Sequence, residues 1–337
     1  MKLSDFDYEL PENLIAQDAA KPRDSARLMV ISKDGALEHR IFRDIINYLK
    51  PGDVLVLNST KVLKMKLVGK KESGSRAEII LTGCMDKKEN IWRCHVKARN
   101  PIVGTRILFS DGHALIISQP SVDEFMIRLS SDAILKHGLL PNPPYIKHNV
   151  HNEYQTVYAK EDMEDKKLYR GSLAAPTAGL HFTKSLLKRL REKGVKVVFI
   201  KLHVGFGTFL PVYDMDKHET EKEYFEIPNK AAKVINERKG RLIVVGTTTL
   251  KALESSSDQD GKIISGTGYS GIFIKPGFRF RSGTDALVTN FHLPKSSLIM
   301  LTCAFAGTNK ILDAYHVAVK EKYRFFSLGD AMMIWNR

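Results

Sequence analysis

The chain has 337 residues, of which 43% are hydrophobic; this is enough for two hydrophobic cores, so we expect two domains. Its 52 lysines and arginines against 38 acidic residues give a net charge of +14, which favours a polyanionic partner. No apolar run approaches the ~20 residues needed to span a bilayer, and the acidic start is unlike a signal peptide. We therefore expect a soluble, cytoplasmic protein with no membrane partner. Cys84, Cys94 and Cys303 form no close pair with zinc-ligand spacing, and we expect no metal site.

The first sixty residues predict the start of an α/β domain. Apolar strands are expected at 28–31 and 54–57, with a short amphipathic helix at 42–49 between them. The second strand ends in the polar residues Asn58, Ser59, Thr60 and Lys61. This cluster therefore lies at the carboxyl end of a predicted strand.

Residues 62–150 have a different pattern. Short runs of alternating hydrophobic residues are separated by glycine, asparagine and proline turns, which predicts a small all-β barrel or sandwich. The segment closes with the proline-rich residues 139–146, which we interpret as the return linker. Residues 62–150 are therefore expected to form an inserted β-barrel domain.

From residue 151 the alternation of helix and strand resumes. Strands are expected at 242–245, 272–274 and 286–289, and helices at 228–239, 296–306 and 310–320. Repeated strand, polar turn and helix units predict a mostly parallel sheet with flanking helices. Residues 1–61 and 151–337 are thus expected to form one discontinuous α/β domain. The spacing of 266–271 fits a dinucleotide-binding loop, but a strand is expected after it, so we reject that function.

The stretch from Gly171 to Thr208 holds the strongest candidate site. Small residues precede His181, and Thr183 is expected to cap the helix that follows. A buried strand at 195–200 then leads into His203 and a glycine-rich turn. Ligands in α/β folds bind at the carboxyl ends of strands and at helix N-termini, so both imidazoles are expected to face one cleft.

Several long motifs in fixed order resemble one family along the whole chain. They are Ala174-Ala175-Pro176-Thr177-Ala178-Gly179-Leu180-His181-Phe182, Leu202-His203-Val204-Gly205 with Gly207-Thr208-Phe209, Val245-Gly246-Thr247-Thr248, Asp285 to Pro294, and Tyr323-Arg324-Phe325-Phe326 with Gly329-Asp330. Together they are similar to the S-adenosylmethionine:tRNA ribosyltransferase-isomerases of queuosine biosynthesis. The resemblance implies an α/β fold interrupted by an inserted β-barrel.

The resemblance also implies a reaction. Such an enzyme transfers the ribosyl part of S-adenosylmethionine to a 7-aminomethyl-7-deazaguanine at the tRNA wobble position. It then rearranges the sugar to an epoxycyclopentane-diol and releases adenine and methionine. S-adenosylmethionine is thus a cosubstrate, no bound prosthetic group or metal is implied, and the expected partner is a tRNA carrying the precursor base. We expect a monomer.

Acid and base groups and oxyanion donors are needed for this reaction. We expect His181 and His203 to be the acid/base pair; alternatively, either imidazole only holds its turn by hydrogen bonds. His292 is a weaker third candidate. The further candidate substrate-binding residues are Thr177, Ala178, Gly179, Gly205, Gly207, Thr208, Thr247, Thr248, Thr249, Glu254, Asp285 and Asn290.

Each of the other assignments has a plainer alternative. The threonines at 247–249 are expected to bind the methionine carboxylate at a helix N-terminus, or else only to cap that helix. Glu254 and Asp285 are candidates for binding the amino-acid ammonium or a ribose diol, the alternative being that they are simple charges at the ends of a strand and a helix. Lys61, Arg189 and Arg324 are expected to contact tRNA, the alternatives being solvated surface or a structural ion pair.

Two other classes of function remain open at this stage. A methyltransferase would use the same cosubstrate and tRNA but usually carries a glycine-rich strand-to-helix loop, which is missing here. A non-catalytic RNA-binding protein would explain the charge of +14 but not the polar clusters at strand ends.

The chain departs from the family pattern at two basic positions. Lys66 and Lys251 stand where the family commonly has arginine, so bidentate contacts at those positions are not expected.

Overall fold

A computed structural model of the chain describes residues 1–148, 153–160, 171–205, 207, 212–215, 217–218 and 220–336. Within these residues the chain forms two compact units. The first contains Met1–Lys61, Pro143–Lys160 and Ala175–Arg337, and the second contains Val62–Asn142 with the described part of Glu161–Ala174.

The first unit is built on one large sheet. Its strands are β1 (Arg27–Ile31), β2 (Leu37–Ile41), β3 (Val54–Asn58), β10 (Lys196–Leu202), β11 (Glu223–Ile227), β12 (Leu242–Val245), β13 (Gly266–Ser270), β14 (Ala286–Asn290) and β15 (Ala331–Trp335). They lie in the order β13-β11-β10-β3-β12-β14-β15-β1-β2. The central strands β10, β3, β12 and β14 are parallel, and antiparallel pairs join both flanks. The α/β class is confirmed, and the sheet is mixed, with its parallel part at the centre.

The sequences of β3, β12 and β14 are typical of parallel strands, which are buried on both faces. Every residue of β3, β12 and β14 is buried, and most are Val, Leu or Ile. Parallel strands end at the same edge of the sheet. The residues that follow β10, β3, β12 and β14 therefore lie along one edge, which we call the carboxyl edge.

The helices of the first unit flank this sheet. They are Lys184–Glu192, Asn229–Asn236, Thr247–Ser256, Ser297–Ala306 and Thr308–Lys320, with 3-10 turns at Leu3–Phe6, Glu12–Leu14, Arg23–Ser25, Phe42–Asn47 and Thr177–Gly179. The predicted cap is confirmed, because the Thr183 hydroxyl accepts a hydrogen bond from Leu186 N at 3.1 Å. Leu186, Leu187 and Leu190 bury the inner face of this helix in the same core as β3 and β14.

One strand prediction was wrong. No strand forms at 272–274; instead β13 covers 266–270 and pairs antiparallel with β11 at the sheet edge. The glycines of β13 alternate with Thr267 and Tyr269, and Gly268 lies against the ring of Phe225, where a Cβ would come within 2.8 Å. The same residues exclude a dinucleotide-binding loop, as expected. Strands β2, β11 and β15 were not predicted from the sequence.

The second unit contains the predicted barrel. Its strands are β4 (Lys66–Lys71), β5 (Arg76–Asp86), β6 (Ile91–Ala98), β7 (Arg106–Phe109), β8 (Gly112–Ser118) and β9 (Phe125–Leu129), and a short helix follows at Ala133–His137. They close in the order β4-β5-β6-β9-β8-β7, with β4 paired to β7. Alternate residues such as Ile79, Leu81, Trp92 and Ile127 are buried. The hydrophobic residues that alternate along these strands therefore fill the interior of a closed barrel, as predicted.

Candidate active site

His181 lies at the carboxyl edge beside the end of β14. Its Nε2 is 3.1 Å from Asn290 Nδ2, and the Thr177 hydroxyl donates to Asn290 Oδ1 at 3.0 Å. The Phe42 ring stacks on the imidazole with centroids 4.8 Å apart. Two elements distant in sequence and the adjacent turn Thr177–Gly179 therefore fix the position of this side chain.

The surroundings of His181 strongly favour its neutral form. Burial lowers the pKa of His181 to about 3, and the positive charges of Arg324 and Arg23 act in the same direction. His181 also lines a small cavity together with Ala19, Ala20, Arg23, Glu153, Leu180, Ser327, Leu328 and Gly329. The ring is thus uncharged at neutral pH and borders a cavity that Arg23 also lines.

The turn Thr177–Gly179 packs closely against its neighbours. A Cβ on Gly179 would lie 2.0 Å from the Tyr158 hydroxyl oxygen, so only glycine fits there. A Cβ on Gly246, at the end of β12, would lie 3.8 Å from the Ala178 Cβ. The small residues of this turn therefore allow it to approach the start of the helix Thr247–Ser256.

That helix presents its N-terminus at the carboxyl edge. Gly246 links β12 to the helix with φ of 92°, which favours glycine. Thr249 donates to Val245 O at 2.5 Å, so its hydroxyl has a structural role. Thr247 and Thr248 are buried, and across the described part of the chain their hydroxyls make no hydrogen bond. Thr247 and Thr248, rather than Thr249, are therefore suited to binding a ligand.

His203 directly follows β10 at the same edge. Its Nδ1 is 2.8 Å from the Thr60 hydroxyl, and its ring stacks on Tyr224 with centroids 5.4 Å apart. Asn58 joins the ends of β3 and β10, because its side chain accepts from Leu202 N at 3.1 Å and donates to Leu202 O at 2.9 Å. The polar cluster at the end of β3 thus positions His203.

Acidic side chains hold the backbone after His203. Gly205 N donates to Glu223 at 3.1 Å, and Gly207 N donates to Glu221 at 2.8 Å. Glu223 is buried and pairs with Lys251 at 2.7 Å. A Cβ on Gly205 would lie 2.4 Å from the Glu221 carboxylate. The close approach that these glycines permit is therefore one to a carboxylate of the same chain.

The two histidines share an edge but belong to separate clusters. His203 follows β10 and His181 contacts the end of β14, with β3 and β12 between them. Three strand spacings of ~4.8 Å each separate these positions by roughly 14 Å. The N-terminus of the helix Thr247–Ser256 follows β12 and so lies between the two clusters. Within the described residues the two imidazoles make no contact with each other.

The candidates Glu254 and Asp285 have structural partners. The Glu254 carboxylate accepts from Arg281 N at 2.8 Å and from Ser282 N at 3.2 Å. Asp285 precedes β14, at the opposite end of that strand from Asn290, and accepts from Leu242 N at 2.8 Å. The structure does not bring Asp285 to the other candidates.

His292 is likewise built into the fold. Its Nε2 is 3.0 Å from the Thr289 hydroxyl, and its backbone N–H donates to the Tyr315 hydroxyl at 2.9 Å. Tyr8 donates to its carbonyl oxygen. Burial lowers the pKa of His292 to about 3. Its observed contacts all serve to hold the backbone after β14.

The candidate tRNA contacts differ in their surroundings. Arg189 is exposed on the helix Lys184–Glu192, among Lys184, Lys188 and Arg191. Arg324 is half-buried; its side chain lies 3.5 Å from Asp330 and donates to Asp18 O at 3.1 Å. Lys61 is half-buried after β3. Thr208 lies outside the described residues.

Some residues at the site were not predicted from the sequence. Thr60, Glu223 and Tyr158 contact candidates from elements far away in the chain, and no local pattern marks Glu223 or Tyr158. The polar cluster after β3 was a usable signal for Thr60. No group of three His, Cys, Asp or Glu side chains in the described ranges is arranged to hold a metal ion. None of the helices described here is long and apolar enough to cross a membrane.

Comparison with known proteins assigns the chain to a family. The model of the family described as queuosine biosynthesis protein matches residues 3–334. The S-adenosylmethionine:tRNA ribosyltransferase-isomerases of Thermosipho africanus and Thermoanaerobacter sp. are 49% and 46% identical to the chain, each covering 99% of it and 100% of the relative.

A solved structure agrees with this result. The crystal structure of S-adenosylmethionine tRNA ribosyltransferase from Thermotoga maritima is 34% identical, covers 98% of this chain and 100% of its own, and has a TM-score of 0.55. The resemblance read from the motifs is thereby confirmed. The chain belongs to the queuosine biosynthesis protein family, among relatives named S-adenosylmethionine:tRNA ribosyltransferase-isomerases.

Proposed function

We propose that the chain transfers and isomerises the ribosyl moiety of S-adenosylmethionine onto 7-aminomethyl-7-deazaguanine at the tRNA wobble position. The products are epoxyqueuosine-tRNA, adenine and methionine. The observation that carries this proposal is the full-length match to relatives named for this activity, at 46% to 49% identity. The carboxyl edge, with two histidines and a helix N-terminus, is the surface on which the reaction takes place.

The chemistry explains why such an edge is needed. The positive sulfonium acidifies the methylene that joins it to the ribose, so a base that removes this proton opens the sugar and expels adenine. The amine of the precursor base and the resulting ylide then rebuild a carbocycle. Proton transfers and developing alkoxides require an acid, a base and hydrogen-bond donors. His181 and His203 supply imidazole groups at both ends of the edge.

The helix Thr247–Ser256 supplies an anion site between the histidines. Its first backbone N–H groups are unpaired by helix geometry, and the hydroxyls of Thr247 and Thr248 are available beside them. A carboxylate is the anionic group of S-adenosylmethionine. We place the methionine end here, with Thr177, Ala178 and Gly179 against the same ligand.

The tRNA lies on basic surface of the same unit. The exposed face with Lys184, Lys188, Arg189 and Arg191 offers positive charge to phosphates, and Lys61 borders the carboxyl edge. Arg324 is already held by Asp330, so it contributes its charge from a fixed position. The chain works as a monomer in the cytoplasm, with no metal and no bound prosthetic group.

One incubation tests the function. The protein is mixed with labelled S-adenosylmethionine and precursor tRNA, and the products are separated. Free adenine with methionine supports the proposal, S-adenosylhomocysteine indicates a methyltransferase, and absence of product indicates a binding protein. His181→Ala and His203→Ala should each abolish adenine release with the fold intact. His316→Ala, at an exposed position of the helix Thr308–Lys320, is the matched control and should react normally.

A further inference from the structure

The hydrogen bonds around Asn290 determine which nitrogen of His181 carries the proton. In the described part of the chain the Asn290 side chain has three partners: the Thr177 hydroxyl, His181 Nε2 and the Asp330 carbonyl oxygen. A carbonyl oxygen can only accept a hydrogen bond, and it lies 3.4 Å from the amide nitrogen of Asn290. If the amide were rotated by 180°, Asn290 Oδ1 would face the Asp330 carbonyl oxygen, and both atoms can only accept a hydrogen bond. The Nδ2 group therefore faces both Asp330 O and His181.

Asp330 is itself firmly held, so its carbonyl is a fixed reference. Its carboxylate accepts from Arg27 N at 2.9 Å and from Arg324 N at 2.8 Å. It is buried, with 1% of its surface exposed. Because Asp330 is fixed, rotation of the Asn290 amide would break the hydrogen bond from Asn290 Nδ2 to the Asp330 carbonyl oxygen. The amide is thus held in one orientation by groups outside the histidine.

An amide nitrogen can only donate, so Nε2 of His181 must accept. An imidazole nitrogen that accepts carries no proton, and the single proton of the neutral ring is then on Nδ1. We infer that Asn290 is a positioning residue that holds His181 as the neutral Nδ1–H tautomer, so that His181 offers an N–H donor to the substrate and is not the base. Phe42 stacking fixes the ring plane in which this donor points.

Protonation of the ring is opposed by Asn290 and by two arginines. A proton on Nε2 would displace the Asn290 hydrogen bond, and the charges of Arg23 and Arg324 oppose a second positive group. Burial lowers the pKa of His181 to about 3, in agreement with the hydrogen bonds. His203, whose Nδ1 bonds to a hydroxyl that can donate or accept, is then the imidazole left for proton abstraction. This division of roles rests on the proposed function; the tautomer itself does not.

The tautomer is tested by NMR on the full chain with 15N-labelled histidine. Long-range 1H–15N correlations distinguish a protonated from an unprotonated ring nitrogen without reference to activity. His181→Gln identifies the signals by their loss, and contacts to the Phe42 ring assign them if that variant does not fold. We expect a protonated Nδ1 and an unprotonated Nε2 at neutral pH. A protonated Nε2 would overturn the inference.

Asn290→Asp provides the second test. A carboxylate can only accept, so Nε2 of His181 must gain a proton, and its signals should change to those of the opposite tautomer or of imidazolium. The signals of His292, another buried imidazole, should stay unchanged and serve as the internal control. We expect kcat for adenine release to fall at least ~100-fold, with the loss in kcat rather than in KM. A normal kcat with a changed tautomer would refute the donor role, whereas a wild-type protein that releases no adenine refutes only the proposed function.

Discussion

Replacing Gly179 by alanine tests how the turn before His181 is packed. The added Cβ would lie 2.0 Å from the Tyr158 hydroxyl oxygen and 3.1 Å from Thr156 Cγ2, both closer than an ordinary contact. Overpacking of this kind costs ~1–3 kcal/mol, partly offset by ~0.4–1 kcal/mol from a stiffer unfolded chain. We therefore expect Gly179→Ala to be less stable by about 1–2 kcal/mol.

The Tyr158 hydroxyl allows this reasoning to be checked by a double mutant. It is buried and, among the described residues, has no hydrogen-bond partner, so Tyr158→Phe should be neutral or slightly stabilising. With phenylalanine the nearest ring atom is 3.1 Å from the new Cβ, a contact that a small shift relieves. We expect Gly179→Ala with Tyr158→Phe to recover ~1 kcal/mol or more as coupling energy.

Thermal unfolding measures both effects. For a unit of this size, 1 kcal/mol corresponds to roughly 2–4 °C in Tm. Gly271→Ala is the matched control in the same unit, because the nearest atom to its Cβ is the flexible Lys222 side chain at 3.3 Å. A Tm for Gly179→Ala within 1 °C of the parent would refute the packing argument, and so would a strict sum of the two single effects.

Three further predictions concern charge. Removing one partner of the buried Lys251–Glu223 pair, as in Lys251→Met, should cost ~3–5 kcal/mol in urea unfolding, and Lys251→Met with Glu223→Gln should cost less. The pKa values of His181 and His292, about 3, lie below the ~6.5 of an unfolded histidine, so the unfolded chain binds more protons between these values. Stability should then fall as pH decreases from ~6.5 towards 3, by up to ~1.4 kcal/mol per pH unit for each histidine, and a flat profile would contradict their burial. Finally, Arg189→Ala should reduce the log-log salt slope of tRNA binding by ~0.7–0.9, and an unchanged slope would remove Arg189 from the interface.

Local sequence patterns correctly predicted the strands and helices whose own side chains form the hydrophobic core. The continuous apolar runs of β3 and β12 and the leucine spacing after Thr183 each specify a strand or a helix, because burial of those side chains stabilises it. The barrel followed from alternation in the same way. The strand at 266–270 was instead predicted at 272–274, because the glycines of β13 give no hydrophobic pattern. This segment is a strand because it forms hydrogen bonds with β11.

The sequence alone determined the family, the α/β class and the inserted barrel, because motifs and periodicity are properties of contiguous residues. It also marked His181, His203 and the threonines at 247–249 as residues at strand and helix ends. The tertiary structure decided their partners: Asn290 and Phe42 for His181, and Thr60 and Tyr224 for His203. The strand order also separates the ends of β10 and β14, beside which the two histidines lie, by roughly 14 Å. Hydrogen bonds and burial act between groups that are distant along the chain, so the tautomer and charge of a histidine depend on the packed fold.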